Sequence, residues 1–310
     1  MNTLKKLRFK ASRTKLRMPK AWWQHRGLND QDVMFASFER SGNTWLRFVL
    51  MEILTKDNAG FLNVNQILPE MGTHRESKPV LPNGGRFIKT HESYRSDYKR
   101  AVYLMRDLRD VMLSNWARDK EMGFAQYFDN GRDMDGYVES FLKGKVTRFG
   151  SWQSHVDSWV NSPLAKNGNL LVVRYEDLRK DTETGLLEML EFLGIPSDRE
   201  VVRRAVENNS LRAMREKEDK AKKSGATLGK GTLLRKHRVD REDARFVRTG
   251  SVGGWREKLS DTQIEMVTKY AGEALVRAGY PAGLEGNSHS RDSQLRDSQS
   301  EERVPSTARG

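Results

Sequence analysis

Apolar residues arrive in two rhythms along this chain. Short unbroken runs bounded by polar residues predict buried strands at 33–38 (VMFASF), 87–90 (FIKT), 101–105 (AVYLM) and 170–175 (LLVVRY). Between them, apolar residues recur every three or four positions. Trp45, Phe48, Val49 and Ile53 share one helical face, a second helix is expected from about Asp110, and Leu186, Leu187, Leu190 and Leu193 mark a third. Gly194 and Pro196 follow that third helix in the order that ends helices.

Strands alternating with helices predict an α/β fold, a parallel β-sheet flanked by helices. Ligands of such sheets bind beyond the carboxyl ends of the strands. Three of these ends carry reactive or charged residues: Arg40-Ser41-Gly42, Lys89-Thr90-His91 and Arg106-Asp107. No internal repeat is visible. Residues 214–245 are polar and glycine-containing without a clear period, and are expected to form a long loop or lid. The organisation predicted is a basic, partly disordered arm over 1–30, one domain over 31–282, and a disordered polar tail over 283–310.

Composition narrows the chemistry. With no cysteine among 310 residues, disulfides, thiolate metal sites and cysteine catalysis are excluded. No apolar run is long enough to span a bilayer and no signal-peptide core follows Met1, so a cytoplasmic location is expected. The formal charge of +13 favours an anionic partner. Part of it is local: Lys5, Lys6, Arg8, Lys10, Arg13, Lys15, Arg17 and Lys20 stand before any acid. The plainer reading of this run is a solvated arm; the sharper one is peripheral contact with a membrane surface.

The segment 39–45 (ERSGNTW) joins a strand to a helix. Gly42 lets backbone approach a ligand closely. The first helical amides are unpaired at the positive end of the helix dipole. Ser41, Asn43 and Thr44 can add donors and Arg40 a charge, which together make an anion cradle. Trp45 reads either as a core residue or as a ring stacked on a base. At the next strand end, a neutral His91 can act as general base, and Lys89 two residues before it would hold its pKa down. Arg106 and Ser114, about two helical turns apart, suit a second phosphate. Asp107, Arg109 and Asp110 are expected to form surface ion pairs. The six histidines show no metal-ligand spacing, so no metal is expected.

In order and spacing, ERSGNTW, KTH (89–91), RDLRDVMLS (106–114), VRYEDL (173–178) and RTGSVGGW (248–255) resemble the cytosolic-type sulfotransferases, over about 33–278. Those enzymes use 3′-phosphoadenosine 5′-phosphosulfate (PAPS) and release 3′-phosphoadenosine 5′-phosphate (PAP). SGNTWLR in place of SGTTW points to a bacterial-type branch. The resemblance implies a P-loop-NTPase-like sulfotransferase fold and a set of roles. Arg40, Ser41, Gly42, Asn43 and Thr44 would hold the 5′-phosphosulfate end. Trp45 would stack on adenine, with Tyr175, Ser210 and Leu211 beside it. Arg106, Ser114, Arg248, Thr249 and Gly250 would hold the 3′-phosphate. His91 would be the base, with Lys89 and Arg40 stabilising charge at the sulfuryl group. The acceptor would be a small molecule, lipid or glycan, its pocket built from loops 58–85, 121–136 and 214–245.

The chain departs from the family pattern at three places. Arg40 replaces the usual Lys, Glu39 a common Pro, and Asp261 the Val of a dimer motif that would fall on Arg256, Ser260, Asp261 and Glu265; a homodimer is one expectation, and Asp261 counts against this motif as its means. An acid at Glu39 is unfavourable beside an anion cradle unless it pairs with a cation. Two other readings remain: a kinase-like P-loop nucleotide-binding protein, and a homologue that binds donor without turning it over. No zinc-finger, RNP-type or helix-turn-helix pattern supports specific nucleic-acid binding.

Overall fold

In a computed structural model, residues 18–123, 133–224, 232–233, 247 and 250–283 are described. Arg248, Thr249, residues 1–17, most of loop 121–136, most of 225–245 and the tail from 284 lie outside them.

Four parallel strands form one sheet in the order β2-β1-β3-β4: β1 Val33–Ser37, β2 Phe87–Thr90, β3 Arg100–Met105 and β4 Leu170–Arg174. β1 is central and fully buried, in register with β2 from Val33 opposite Phe87 and with β3 from Val33 opposite Arg100. Its alternation divides the core. Met34, Ala36 and Phe38 join Ala101, Tyr103 and Met105 in one apolar cluster, while Val33 and Phe35 join Val102 and Leu104 in the other. Helices Leu108–Glu121, Met134–Leu142, Trp152–Val160 and Asp261–Arg277 cover the first face. Helices Asn43–Thr55, Thr182–Phe192 and Arg199–Glu207 cover the second. Burial on both faces explains why these strands read as unbroken apolar runs.

Several expectations need correction. Tyr175 does not end a strand; it opens the helix Tyr175–Lys180, directly at the carboxyl end of β4. Residues 214–223 are not loop. They lie in the helix Leu211–Lys223, started by the Ser210 cap, which accepts from the Ala213 amide. Its buried stripe is thin because Glu218 takes an apolar place: the carboxylate is buried and accepts from the Val247 amide at 2.9 Å. Within the expected arm, Met18–His25 is a helix with Ala21 and His25 buried, and the His25 ring contacts Tyr98 Oη at 2.7 Å. Asp107, Arg109 and Asp110 do pair, but in the interior rather than on the surface. Asp107 caps the helix Leu108–Glu121 and holds Arg109 at 2.7 Å, while Asp110 accepts from the amides of Gly253 and Trp255. Among the described residues, no helix is long and apolar enough to cross a membrane, and no group of three acidic or His residues could hold a metal.

Candidate active site

A cavity of about 250 Å³ opens where β1, β2 and β3 end. Arg40, Gly42, Asn43, Thr44, Trp45, Lys89, His91, Arg106, Ser114, Tyr175, Leu211 and Gly250 line it, so most residues singled out in the sequence meet in one place. Ser41 lies just behind the lining and is fully buried; Ser210 is an exposed helix cap.

After β1 the chain turns through two left-handed residues, Arg40 at φ 70° and Gly42 at φ 98°. Helix Asn43–Thr55 then starts with Gly42 as its cap, which makes no side-chain cap hydrogen bond. A helix start without a side-chain cap offers several N–H donors and a positive dipole end to an anion. Ser41 Oγ is buried with no hydrogen-bond partner among the described residues. Glycine is required at 42 on two counts. The backbone is left-handed, and a Cβ there would lie 2.6 Å from the Tyr175 ring.

That ring is itself fixed. Tyr175 Oη donates to Gly250 O at 3.0 Å, the Arg106 guanidinium lies 4.6 Å from the ring centre, and Trp45 meets it edge-on. Arg106 ties the two loops together, donating to Arg40 O (3.0 Å) and to Ser251 O (2.7 Å). Arg40 Nε donates to Ser114 Oγ at 3.0 Å. Trp45 is half-buried rather than a core residue; its indole donates to Asn209 O, and Arg179 lies over its ring.

His91 Nδ1 lies 2.7 Å from Ser37 O. A carbonyl only accepts, so Nδ1 carries the proton and Nε2 keeps its lone pair. Burial and then the Lys89 charge push the imidazole pKa down to about 3, so the ring is neutral at ordinary pH. Lys89 bonds Glu70 at 2.8 Å, and Arg47 stands 3.9 Å from the same carboxylate. Two cations share one anion, so positive charge is left over at this wall. No local pattern marks Glu70 as a partner of Lys89. It arrives by backbone pairing, since the 69–71 segment hydrogen-bonds alongside Lys89 in β2.

The turn carrying His91 is clamped from behind by helix Trp152–Val160. His155 Nε2 donates to the carbonyls of His91 and Glu92, each at 3.1 Å, and its Nδ1 accepts from Tyr103 Oη at 2.9 Å. Trp159 Nε1 donates to Glu92 O, and Ser158 Oγ accepts from the Tyr94 amide. Nothing local in the sequence marks His155, which lies 64 residues from the group it holds.

Loop 58–85 does not line the cavity, contrary to expectation; its Ala59, Phe61, Val64 and Leu68 are buried in the core. Leu211 and Met214 enter from the helix expected to be loop, and Glu39, Arg118, Arg179 and Val247 complete the lining. Glu39 is paired, as its position demands: Arg118 Nη1 lies 3.4 Å from its Oε2.

Comparison with known proteins gives this geometry a family. Residues 30–279 match the family model described as the sulfotransferase domain. Mouse sulfotransferase 2A2 is 26% identical over 268 residues, covering 83% of this chain and 88% of the relative. Human sulfotransferase 2A1 is 27% identical over 263 residues, covering 80% and 86%. Among solved structures, retinol dehydratase in complex with androsterone and the inactive cofactor PAP superposes with a TM-score of 0.62 at 20% identity, covering 83% of this chain and 84% of that one. Mouse sulfotransferase SULT7A1 complexed with PAP gives 0.60 at 19% identity, covering 94% and 95%. The chain belongs to the sulfotransferase family.

Proposed function

We propose that this protein transfers a sulfuryl group from PAPS to an acceptor hydroxyl or amine, with His91 as general base. One juxtaposition carries the reading: a helix start without a side-chain cap, closed by an obligatory glycine, opens on the same cavity as a neutral histidine whose proton is fixed on Nδ1. The first element suits the phosphate end of a nucleotide and the second suits removal of a proton from an acceptor.

The residues fit such a donor. Ser41, Gly42, Asn43, Thr44 and the adjoining amides would take its 5′ end. Trp45 and Tyr175 offer aromatic surface to the base, with Leu211 beside them. Arg106, Ser114 and Gly250, together with Arg248 and Thr249 outside the described residues, would take the 3′-phosphate. PAPS supplies the activated sulfuryl group when bound. His91 Nε2 receives the acceptor's proton as the acceptor oxygen or nitrogen bonds to sulfur, and the sulfur–oxygen bond to the donor phosphate breaks with its electron pair on the phosphate. Lys89 and Arg40 face that growing negative charge as fixed cations.

Calorimetric titration tests the donor. PAP is expected to bind at least about tenfold more tightly than AMP, a difference of ~1.4 kcal/mol. Equal affinities, or preference for ATP with Mg²⁺, would replace this reading with the kinase-like one. The His155 clamp gives a second expectation. His155→Ala should lower kcat by roughly tenfold or more through misplacement of His91, with PAP affinity unchanged. His155→Gln should restore part of the loss by returning one donor to the His91 and Glu92 carbonyls. A parallel loss of PAP affinity would make His155 a general structural residue instead.

The reading extends to location. Helix Met18–His25 exposes Trp22 and Trp23 directly after the basic run 5–20, a combination suited to peripheral contact with an anionic membrane surface.

A further inference from the structure

We infer that Glu39 and Arg118 form a polar clamp that selects a neutral polyhydroxyl acceptor, a sugar or polyol, by holding the hydroxyl next to the one that reacts. The inference rests on the sulfuryl-transfer reading above and names the acceptor class for that same site.

The pair is built into the wall. Helix Leu108–Glu121 presents Ser114 and Arg118 one turn apart, and both line the cavity. Arg118 is pinned from behind: its Nε donates to Asp119 Oδ1 at 3.0 Å, and Asp119 accepts in turn from Tyr137 Oη at 2.8 Å. Its Nη1 then reaches Glu39 Oε2 at 3.4 Å, a long single contact rather than a two-pronged one. Both side chains stay 21% exposed, so acceptor lone pairs of Glu39 and guanidinium N–H groups remain available to a ligand. Burial alone would push the Glu39 carboxyl up, but Arg118 leads the charges that outweigh it, and the group stays ionised. Glu39 stands two residues after Ser37, whose carbonyl holds His91 Nδ1 at 2.7 Å, and Glu39 and His91 line the same cavity.

Charge and solvation choose the ligand. An apolar ring system laid on this wall would strip water from an ionised pair and give nothing back. A cationic acceptor would enter a cavity lined by Arg40, Lys89, Arg106, Arg118 and Arg179 against one carboxylate, Glu39. An anionic group gains little from Arg118, which already faces two carboxylates, Glu39 and Asp119. A neutral diol meets both needs: one hydroxyl gives its proton to His91, and its neighbour donates to Glu39 while accepting from Arg118.

The test measures transfer from labelled PAPS to methyl hexopyranosides, their deoxy analogues, a hydroxysteroid, a phenol and an amino alcohol, with PAP affinity measured separately by calorimetry. At least one sugar is expected to exceed the steroid and phenol in kcat/KM by about tenfold or more. Glu39→Gln should raise KM for that sugar about tenfold while PAP affinity stays within about twofold. The matching deoxy sugar should lose activity with the wild type and be indifferent to Glu39→Gln. Preference for the steroid, the phenol or the amino alcohol overturns the inference, as does transfer to none of the sugars. An equal effect of Glu39→Gln on every acceptor overturns it too. Failure of PAP to bind the wild type marks a failure of the donor reading instead, since that readout involves no acceptor.

Discussion

Replacing His91 by alanine is expected to lower sulfuryl transfer by roughly 10²–10⁴-fold, the usual contribution of a positioned base, while PAP affinity stays within about twofold. The split follows from the geometry. His91 stands on β2's end and its Nδ1 is committed to Ser37 O, whereas the turn proposed to hold the anion lies between β1 and the helix start at Gly42. Transfer rates with labelled PAPS and calorimetric PAP binding, made on the same preparation, check it; retained turnover would remove His91 as the base. The pH dependence is a second readout. The ring's pKa is pushed from 6.5 to about 3, first by burial and then by Lys89. The imidazole therefore stays neutral across the range where an ordinary histidine protonates, and, with His91 as the base, kcat/KM should not fall with an acid limb centred at 6.5. Stability runs the other way. The unfolded chain binds this proton first, so His91 contributes to folding above pH 6.5 and that contribution drains away between 6.5 and about 3. His91→Ala should therefore make stability less sensitive to acid over that window, which a urea titration at several pH values would measure.

What the sequence disclosed and what it hid follow from the range of the forces involved. Strands such as VMFASF were legible because β1 is buried on both faces, so that apolar residues run unbroken from Val33 to Ala36. The turn from β1 into its helix was legible because strand end, glycine and helix start are contiguous. His91 and Lys89 were legible because two residues apart in a strand share a side, and both do line the cavity. The groups that support them were not. Glu70 reaches Lys89 by an extra backbone pairing, His155 reaches His91 from a separate helix, and Arg118 reaches Glu39 across 79 positions. Nothing in local periodicity records such contacts. The helix Leu211–Lys223 is hidden in the sequence for a different reason. Its buried stripe includes Glu218, whose carboxylate is held by the Val247 amide, so a polar residue occupies the place that an apolar pattern would have shown. Interior charge is hidden in the same way at Asp110, which reads as a surface acid yet fastens the Gly253–Trp255 backbone.

Gly42→Ala is expected to weaken PAP binding by roughly 30-fold or more, about 2 kcal/mol. Two costs act together. A β-carbon in left-handed backbone costs ~1–2 kcal/mol, and overpacking a tight contact adds ~1–3 kcal/mol. The contact is severe: the new methyl would stand 2.6 Å and 2.7 Å from two Tyr175 ring carbons. The ring cannot simply step aside, because Gly250 O holds its hydroxyl and Arg106 covers its face. If the ring yields, the Gly250 loop and Arg106 move with it, and the groups read as holding the 3′-phosphate lose their places. If the backbone yields, the helix start at Asn43 turns away from the cavity. Either relaxation damages nucleotide binding, so the strain emerges as lost affinity whichever side gives. Gly84→Ala separates the two costs. Gly84 is also left-handed, at φ 82°, but a Cβ there meets nothing within 4 Å and the residue lies outside the cavity. That variant should lose about 1–2 kcal/mol of folding stability for its backbone and bind PAP as the wild type does. Calorimetry on the pair, beside thermal unfolding of each, reads both quantities. Undiminished PAP binding by Gly42→Ala would mean that the turn between β1 and its helix is not where the anion is held.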